Sequence, residues 1–172
     1  MHEEMMGQEF SLEERVKRIE DIEAIKQLKA TYARHLDDGY NPEGIASLFV
    51  EDGLWVIKGV GGEAKGRNGI KQHCRNLKEG IAWGQHNISS PVVTLSADGK
   101  RAEATFYLVC LLTMAASPTK AEQEAFVLAG KYSDKLVKVG DQWLFEEITG
   151  TIDQSSPWTE GWVKSPFVKE SW

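Results

Sequence analysis

Between Ser11 and Asp38 the apolar residues return at three- and four-residue steps: Val16, Ile19, Ile22, Ile25, Leu28, Tyr32 and Leu36. That spacing lays one stripe along a helix. Ser11 with Glu14 three residues later forms a capping box, the mark of a helix start. Gly39, Asn41 and Pro42 stop this helix, and a short one is predicted through Ile45 to Phe49. Leu54–Ile57 reads as a strand, Gly59, Gly61 and Gly62 as a turn, and Ala64–Gly66 as a brief second strand. A third helix is predicted over about Asn68–Lys78. After Gly80 the pattern changes to long β segments, about Trp83–Leu95, Arg101–Met114, Glu122–Val139 and Gln142–Ile152. Ala97-Asp-Gly-Lys100 and Gly140-Asp141 are tight hairpin signals. Helices followed by a four-strand antiparallel meander mean an α+β domain.

One strand breaks the expected alternation. Ala104–Leu112 is apolar at nearly every position, whereas a half-exposed antiparallel strand alternates. Both faces of that strand must be covered, and the predicted helices are too few to cover a whole sheet. A homo-oligomer is expected on that ground.

The bulk numbers narrow the class. A chain of 172 residues holds one core, so a single domain over 1–172 is expected, with a loose N-terminus (1–10) and a C-terminal strap or lid (153–172). A net charge of −6 with no basic stripe argues against nucleic acid. No apolar run approaches the roughly 20 residues that span a bilayer, so no membrane partner is expected. The opening Met1-His-Glu-Glu is polar and acidic, unlike a signal peptide. Cys74 and Cys110 fall on a helix and a buried strand, which fits free thiols in a reducing cytoplasm.

Four histidines can be weighed singly. His2 lies in the N-terminal tail, and His73, beside Lys71 and Arg75, reads as solvated. His86 opens the first long strand and shares a face with Ile88 by the period of two. Taking Leu36 as reference on the long helix, Tyr32 and Ile25 fall within about 40° of it. Asp37 lies about 100° away, while Asp38 and Arg34 lie about 160° away on the solvent side. Asp37 can therefore reach a pocket and Asp38 cannot. His35 occupies the opposite flank, and the wheel alone does not separate it from Asp37. A carboxylate in the last helical turn opposes the helix dipole, and such a placement suggests a use.

These residues carry a resemblance. Asp21-Ile-Glu-Ala-Ile-Lys-Gln-Leu-Lys29, then Tyr32-Ala-Arg-His-Leu-Asp37, resembles the opening of the SnoaL-like group, the bile-acid 7α-dehydratases most. The group includes scytalone dehydratase and hexachlorocyclohexane dehydrochlorinase, built on the nuclear-transport-factor-2-like cone. Gly84-Gln-His86, Gly130-Lys-Tyr-Ser-Asp134 and Asp141-Gln-Trp143 agree with it, so the resemblance covers about residues 11–152. It implies a strongly curved, mostly antiparallel sheet wrapped around the N-terminal helix, and a homotrimer rather than a dimer. It also implies that Asp37 and His86 match a catalytic Asp–His pair and Tyr32 the dehydratase tyrosine. Two positions depart. Cys110 stands where the bile-acid enzyme carries an aspartate, and Ile148 where the dehydrochlorinase carries an arginine.

The chemistry of the pair stands apart from the family. A carboxylate bonded to one imidazole nitrogen fixes the tautomer and makes the other nitrogen a stronger base. Tyr32 can then stabilise a developing oxyanion or protonate a departing oxygen. The expected activity is a lyase of dehydratase type acting on a bulky apolar, aromatic or polycyclic small molecule, with no cofactor and no metal. An isomerase, a hydrolase, or a lyase expelling an aldehyde or halide is the first rival. A non-catalytic assembly subunit like that of the ring-hydroxylating oxygenases is the second. The candidate substrate contacts are Trp55, Trp83, Phe106, Leu108, Cys110, Phe126 and Trp158. Trp55 and Trp83 either line the pocket or fill the core, and the tail bearing Trp158, Trp162 and Phe167 is either a strap or a lid.

Overall fold

The computed structural model describes residues 10–59 and 62–168. The expected loose segment 1–9 with His2, the turn glycine Gly61, and residues 169–172 lie outside the described residues. The long helix α1 spans Leu12–Asp37 and begins as its sequence dictates. The Ser11 hydroxyl accepts from the Glu14 N–H at 3.2 Å, and the Glu14 carboxylate accepts from the Ser11 N–H at 2.7 Å. Two orphan donors are satisfied together. Helix α2 (Pro42–Ser47) starts on Asn41, whose side chain accepts from the Gly44 N–H.

Six strands follow: β1 (Phe49–Lys58), β2 (Glu63–Lys65), β3 (Ile81–Leu95), β4 (Arg101–Met114), β5 (Glu124–Val139) and β6 (Gln142–Pro157). Helix α3 (Gly66–Gly80) lies between β2 and β3, and a short α4 (Gly161–Lys164) ends the described chain. The sheet order is β2-β1-β6-β5-β4-β3. β3 to β6 form the expected antiparallel meander. β1, however, runs parallel to β6, from Phe49↔Phe145 to Lys58↔Thr151, which makes the sheet mixed. The sheet stays open, with β2 and β3 at its edges, and curves about α1 in a cone-like fold. At the β5–β6 bulge, a Cβ on Gly130 would fall onto the Thr151 carbonyl oxygen, so that close approach needs glycine.

The core lies between α1 and the inner face of the sheet. Ile25, Tyr32 and Leu36 of α1 meet Phe49, Trp55, Phe106, Leu108, Leu136, Phe145 and Ile148 there. The stripe on α1 is only partly used: Val16 and Ile19, read as core from spacing, are exposed with Leu12, because the first turns run past the packed sheet. β4 alternates strictly, with Ala104, Phe106, Leu108, Cys110 and Leu112 inward and Thr105, Tyr107 and Val109 outward. Its second apolar face is therefore open in the single chain. No helix among the described residues is long and apolar enough to cross a membrane.

Candidate functional site

The last residue of α1 and the start of β3 meet at one end of the cone. Asp37 Oδ1 accepts from His86 Nδ1 at 2.8 Å and from the His86 backbone N–H at 2.9 Å. A carboxylate oxygen is an acceptor, so the neutral ring carries its proton on Nδ1 and leaves Nε2 bare. The His86 side chain is 8% exposed and that of Asp37 33%, so the imidazole lies inside and its partner at the rim. Tyr40 meets the imidazole edge-on, with ring centroids 5.9 Å apart. A Cβ on Gly84 would lie 3.0 Å from Leu112 Cδ2 and 3.5 Å from His86 Cε1, so a bare glycine keeps this corner open for the ring. Asp38 faces solvent, where it accepts from the Asn41 side chain.

His86 looks into a narrow slot of about 50 Å³ inside the cone. A void of that size holds a few waters rather than a large ligand. The walls come from α1 and the loop after it (Tyr32, Leu36, Tyr40), β1 (Trp55, Ile57), α3 (Leu77), β4 (Leu108, Cys110, Leu112), β5 (Leu128, Tyr132) and β6 (Gly150, Ile152). Nearly every atom facing the slot is apolar. Two buried donors in its wall are poorly satisfied: the Trp55 indole N–H has no hydrogen-bond partner, and the Tyr32 hydroxyl has only the neighbouring Tyr132 hydroxyl, outside good hydrogen-bond geometry. Poorly satisfied buried donors are costly. Burial drives the phenols of Tyr32, Tyr40 and Tyr132 above their ordinary range, and the Cys110 thiol likewise. All four are neutral donors at physiological pH.

Of the residues proposed from sequence, His86, Tyr32, Trp55, Leu108 and Cys110 line the slot, and Asp37 holds His86 from the rim. Four others do not line it. Trp83 points outward, because Gly84, His86 and Ile88 take the inner phase of β3 and a bulge precedes it. Phe106 and Phe126 face inward but fill the core away from the slot, Phe106 beside Lys29. Trp158 follows β6 at the outer end of the sheet and is 63% exposed. Ile148 is buried in the core outside the lining. His73, read as solvated, is half-buried with its ring 5.0 Å from Trp55, and that burial lowers its pKa. His35 packs on Gly44 of α2, away from the slot.

The described part of the tail runs along β6. Ser155 pairs with Phe167 in parallel, in the lane that β1 leaves at Lys58, and the Val168 N–H bonds to the Ser155 carbonyl at 2.8 Å. Phe167 lies against Gly59 and β6.

Four polar residues near or below the slot have no role in the sequence analysis. Tyr40 and Tyr132 line it, and beneath it Lys29 pairs with Asp134 at 2.8 Å, with side chains 1% and 0% exposed. Burial pushes the Lys29 ammonium down to about 8 and the Asp134 carboxyl up, each opposed by its partner. The signal was present. Lys29 falls about 20° from Leu36 on the helical wheel, and Asp134 shares the inner phase of β5 with Tyr132 and Leu136. Among the described residues, no cluster of three or more His, Cys, Asp or Glu side chains could hold a metal ion.

Comparison with known proteins places the fold. No curated protein matches the sequence. A proposed scytalone dehydratase from Novosphingobium aromaticivorans superposes with a TM-score of 0.73 at 22% identity, over 84% of this chain and 91% of the other. A hexachlorocyclohexane dehydrochlorinase from Novosphingobium barchaimii gives 0.72 at 17% identity, over 83% and 93%. A nuclear-transport-factor-2-like protein with a cystatin-like fold, from N. aromaticivorans, gives 0.61 at 25% identity, over 86% and 91%. The model of the SnoaL-like domain matches residues 17–149, which takes in most of α1, the sheet up to the middle of β6, and both His86 and Asp37. The chain belongs to the SnoaL-like domain family.

Proposed function

We propose that the protein is a cofactor-independent lyase that removes water from a small, apolar, ring-containing hydroxy-carbonyl compound. The observation that carries this reading is the His86 imidazole, held through Nδ1 by Asp37 at 2.8 Å so that Nε2 is bare, in the wall of an apolar slot that the Tyr32 side chain also lines. His86 Nε2 takes a proton from the carbon beside the carbonyl. The C–H electrons form an enolate, whose oxygen accepts from Tyr32. Asp37 stabilises the imidazolium without taking its proton. As the enolate collapses, the β C–O bond breaks, the C=C bond forms, and the imidazolium proton leaves with the hydroxide as water. The size of the slot favours a single ring, and a polycyclic substrate requires the lining to part.

The test is a screen of single-ring β-hydroxy ketones, following the ultraviolet absorbance of the conjugated product. Turnover that falls about 10- to 10³-fold in Tyr32→Phe supports an oxyanion role for the hydroxyl. Unchanged turnover returns Tyr32 to the core. One observation favours a second reading, isomerisation or loss of a better leaving group than hydroxide. Cys110 lies directly across from His86 in the β3–β4 ladder, where the bile-acid enzymes carry a carboxylate, and its raised thiol pKa makes it a poor proton donor. Product analysis separates the two, since isomerisation conserves mass.

The open face of β4 supports a homo-oligomer, and the dehydratase resemblance favours a trimer. Tyr107 and Val109 are exposed there with Val92 of β3, an apolar patch of the kind that marks an interface. Sedimentation is expected to give three chains per particle at micromolar concentration, and a monomer would refute this.

A further inference from the structure

The ammonium of Lys29 is enclosed by aromatic faces. Its Nζ lies 3.5 Å from the ring centroid of Tyr132 and 4.7 Å from that of Tyr32, with Phe106 at 5.3 Å and Phe145 at 5.6 Å. Asp134 is its one charged partner among the described residues, and neither member of the pair lines the slot. Both tyrosines do. Packing needs alone do not call for such a pair, because well-packed apolar residues of similar volume often serve a core equally well or better. Its position beneath two pocket-lining phenols whose hydroxyls lie beside each other connects it to the site instead. A cation on the face of a phenol ring is attracted to the ring's electron density, and more strongly when desolvated. Electron density drawn toward the cation leaves the hydroxyl a better donor, and low local dielectric magnifies the effect.

We propose that the buried Lys29–Asp134 pair is a positioning device for the site: the Lys29 ammonium, held against Tyr132 and Tyr32, makes their hydroxyls stronger donors to an oxygen anion in the slot. Tyr132 thereby joins Tyr32 as a substrate-facing hydroxyl. The identity of that anion as an enolate rests on the lyase reading, but anion binding itself is separable from turnover. The titratable groups facing this cluster are Asp134 on β5, Cys110 on β4, Tyr32 on α1 and Tyr40 after it, with His86 and Asp37 at the rim. Burial holds the three phenols and the thiol above their ordinary ranges, and Lys29 loses its proton near 8. Donation to an anion is therefore strong below about 8 and weakens as pH rises through it.

The test is equilibrium binding of 4-nitrophenol to the full chain, read from the visible absorbance of its ionised form, beside uncharged 4-nitroanisole. The wild type is expected to prefer the phenolate. Lys29→Met/Asp134→Leu, which removes both charges together, is expected to weaken phenolate binding about tenfold and leave 4-nitroanisole binding unchanged. In the wild type alone, phenolate binding is expected to weaken as pH rises through about 8, so the test survives a variant that fails to fold. Equal losses for both probes, no loss, no phenolate preference, or phenolate binding indifferent to pH would each overturn the proposal. His86→Ala distinguishes the two levels. Turnover unaffected by it contradicts the lyase reading, while a Lys29-dependent phenolate preference that persists in it sustains this one.

Discussion

Replacing His86 with alanine is expected to lower turnover by about 10²- to 10⁴-fold while leaving the fold in place, the usual range for losing a general base. The effect should be large because no other imidazole among the described residues reaches the slot: His35 packs against α2 and His73 lies behind Trp55. The fold should survive because the His86 backbone N–H still donates to Asp37, and the lost side chain opens space in an existing cavity. Asp37→Asn is expected to impair turnover as well, since an amide does not stabilise the imidazolium. Steady-state kinetics with near-ultraviolet circular dichroism check both. Full activity in His86→Ala, with activity abolished in His35→Ala, would place the chemistry on the other flank of α1.

The largest expected effect on stability comes from the core. Asp134→Ala leaves the Lys29 ammonium buried without its carboxylate, and breaking a buried pair from one side costs roughly 3–5 kcal/mol. For a domain of this size that corresponds to a fall in Tm of roughly 10 °C. Lys29→Met/Asp134→Leu should melt much closer to the wild type, because no uncompensated charge remains. Thermal melts of the single and double variants decide it. A double variant no more stable than Asp134→Ala would mean that the pair contributes through its geometry, not through mutual neutralisation.

What was legible in the sequence follows from which physical signals are local. The start of α1 could be read from Ser11 and Glu14, and the start of β4 from the hairpin signal at Ala97–Lys100, because capping and turn chemistry act within a few residues. Asp37 and His86 could be singled out because wheel angle and strand phase fix which way a side chain points. The same rules, applied evenly, would also have found Lys29 and Asp134. A charge on an element is usually solvated, and that expectation fails when two opposite charges meet inside. Trp83 was misjudged for the opposite reason: its size suggested a pocket, while the phase shared by Gly84 and His86 already turned it outward. The parallel pairing of β1 with β6 was not legible, because strand partners far apart in sequence are chosen by packing rather than by local pattern. The length of β1 was hidden by an irregular stretch before Leu54, where Gly53 packs tightly on Phe49.

The claim at the centre of this account is that Asp37 holds the His86 imidazole with its proton on Nδ1, leaving Nε2 as the base. Long-range proton–nitrogen NMR of the histidine rings tests it without knowledge of the substrate. The neutral ring of His86 should show a protonated Nδ1 and a bare Nε2, and Asp37→Asn should move both resonances. A proton on Nε2, or a His86 spectrum indifferent to Asp37→Asn, would contradict the account.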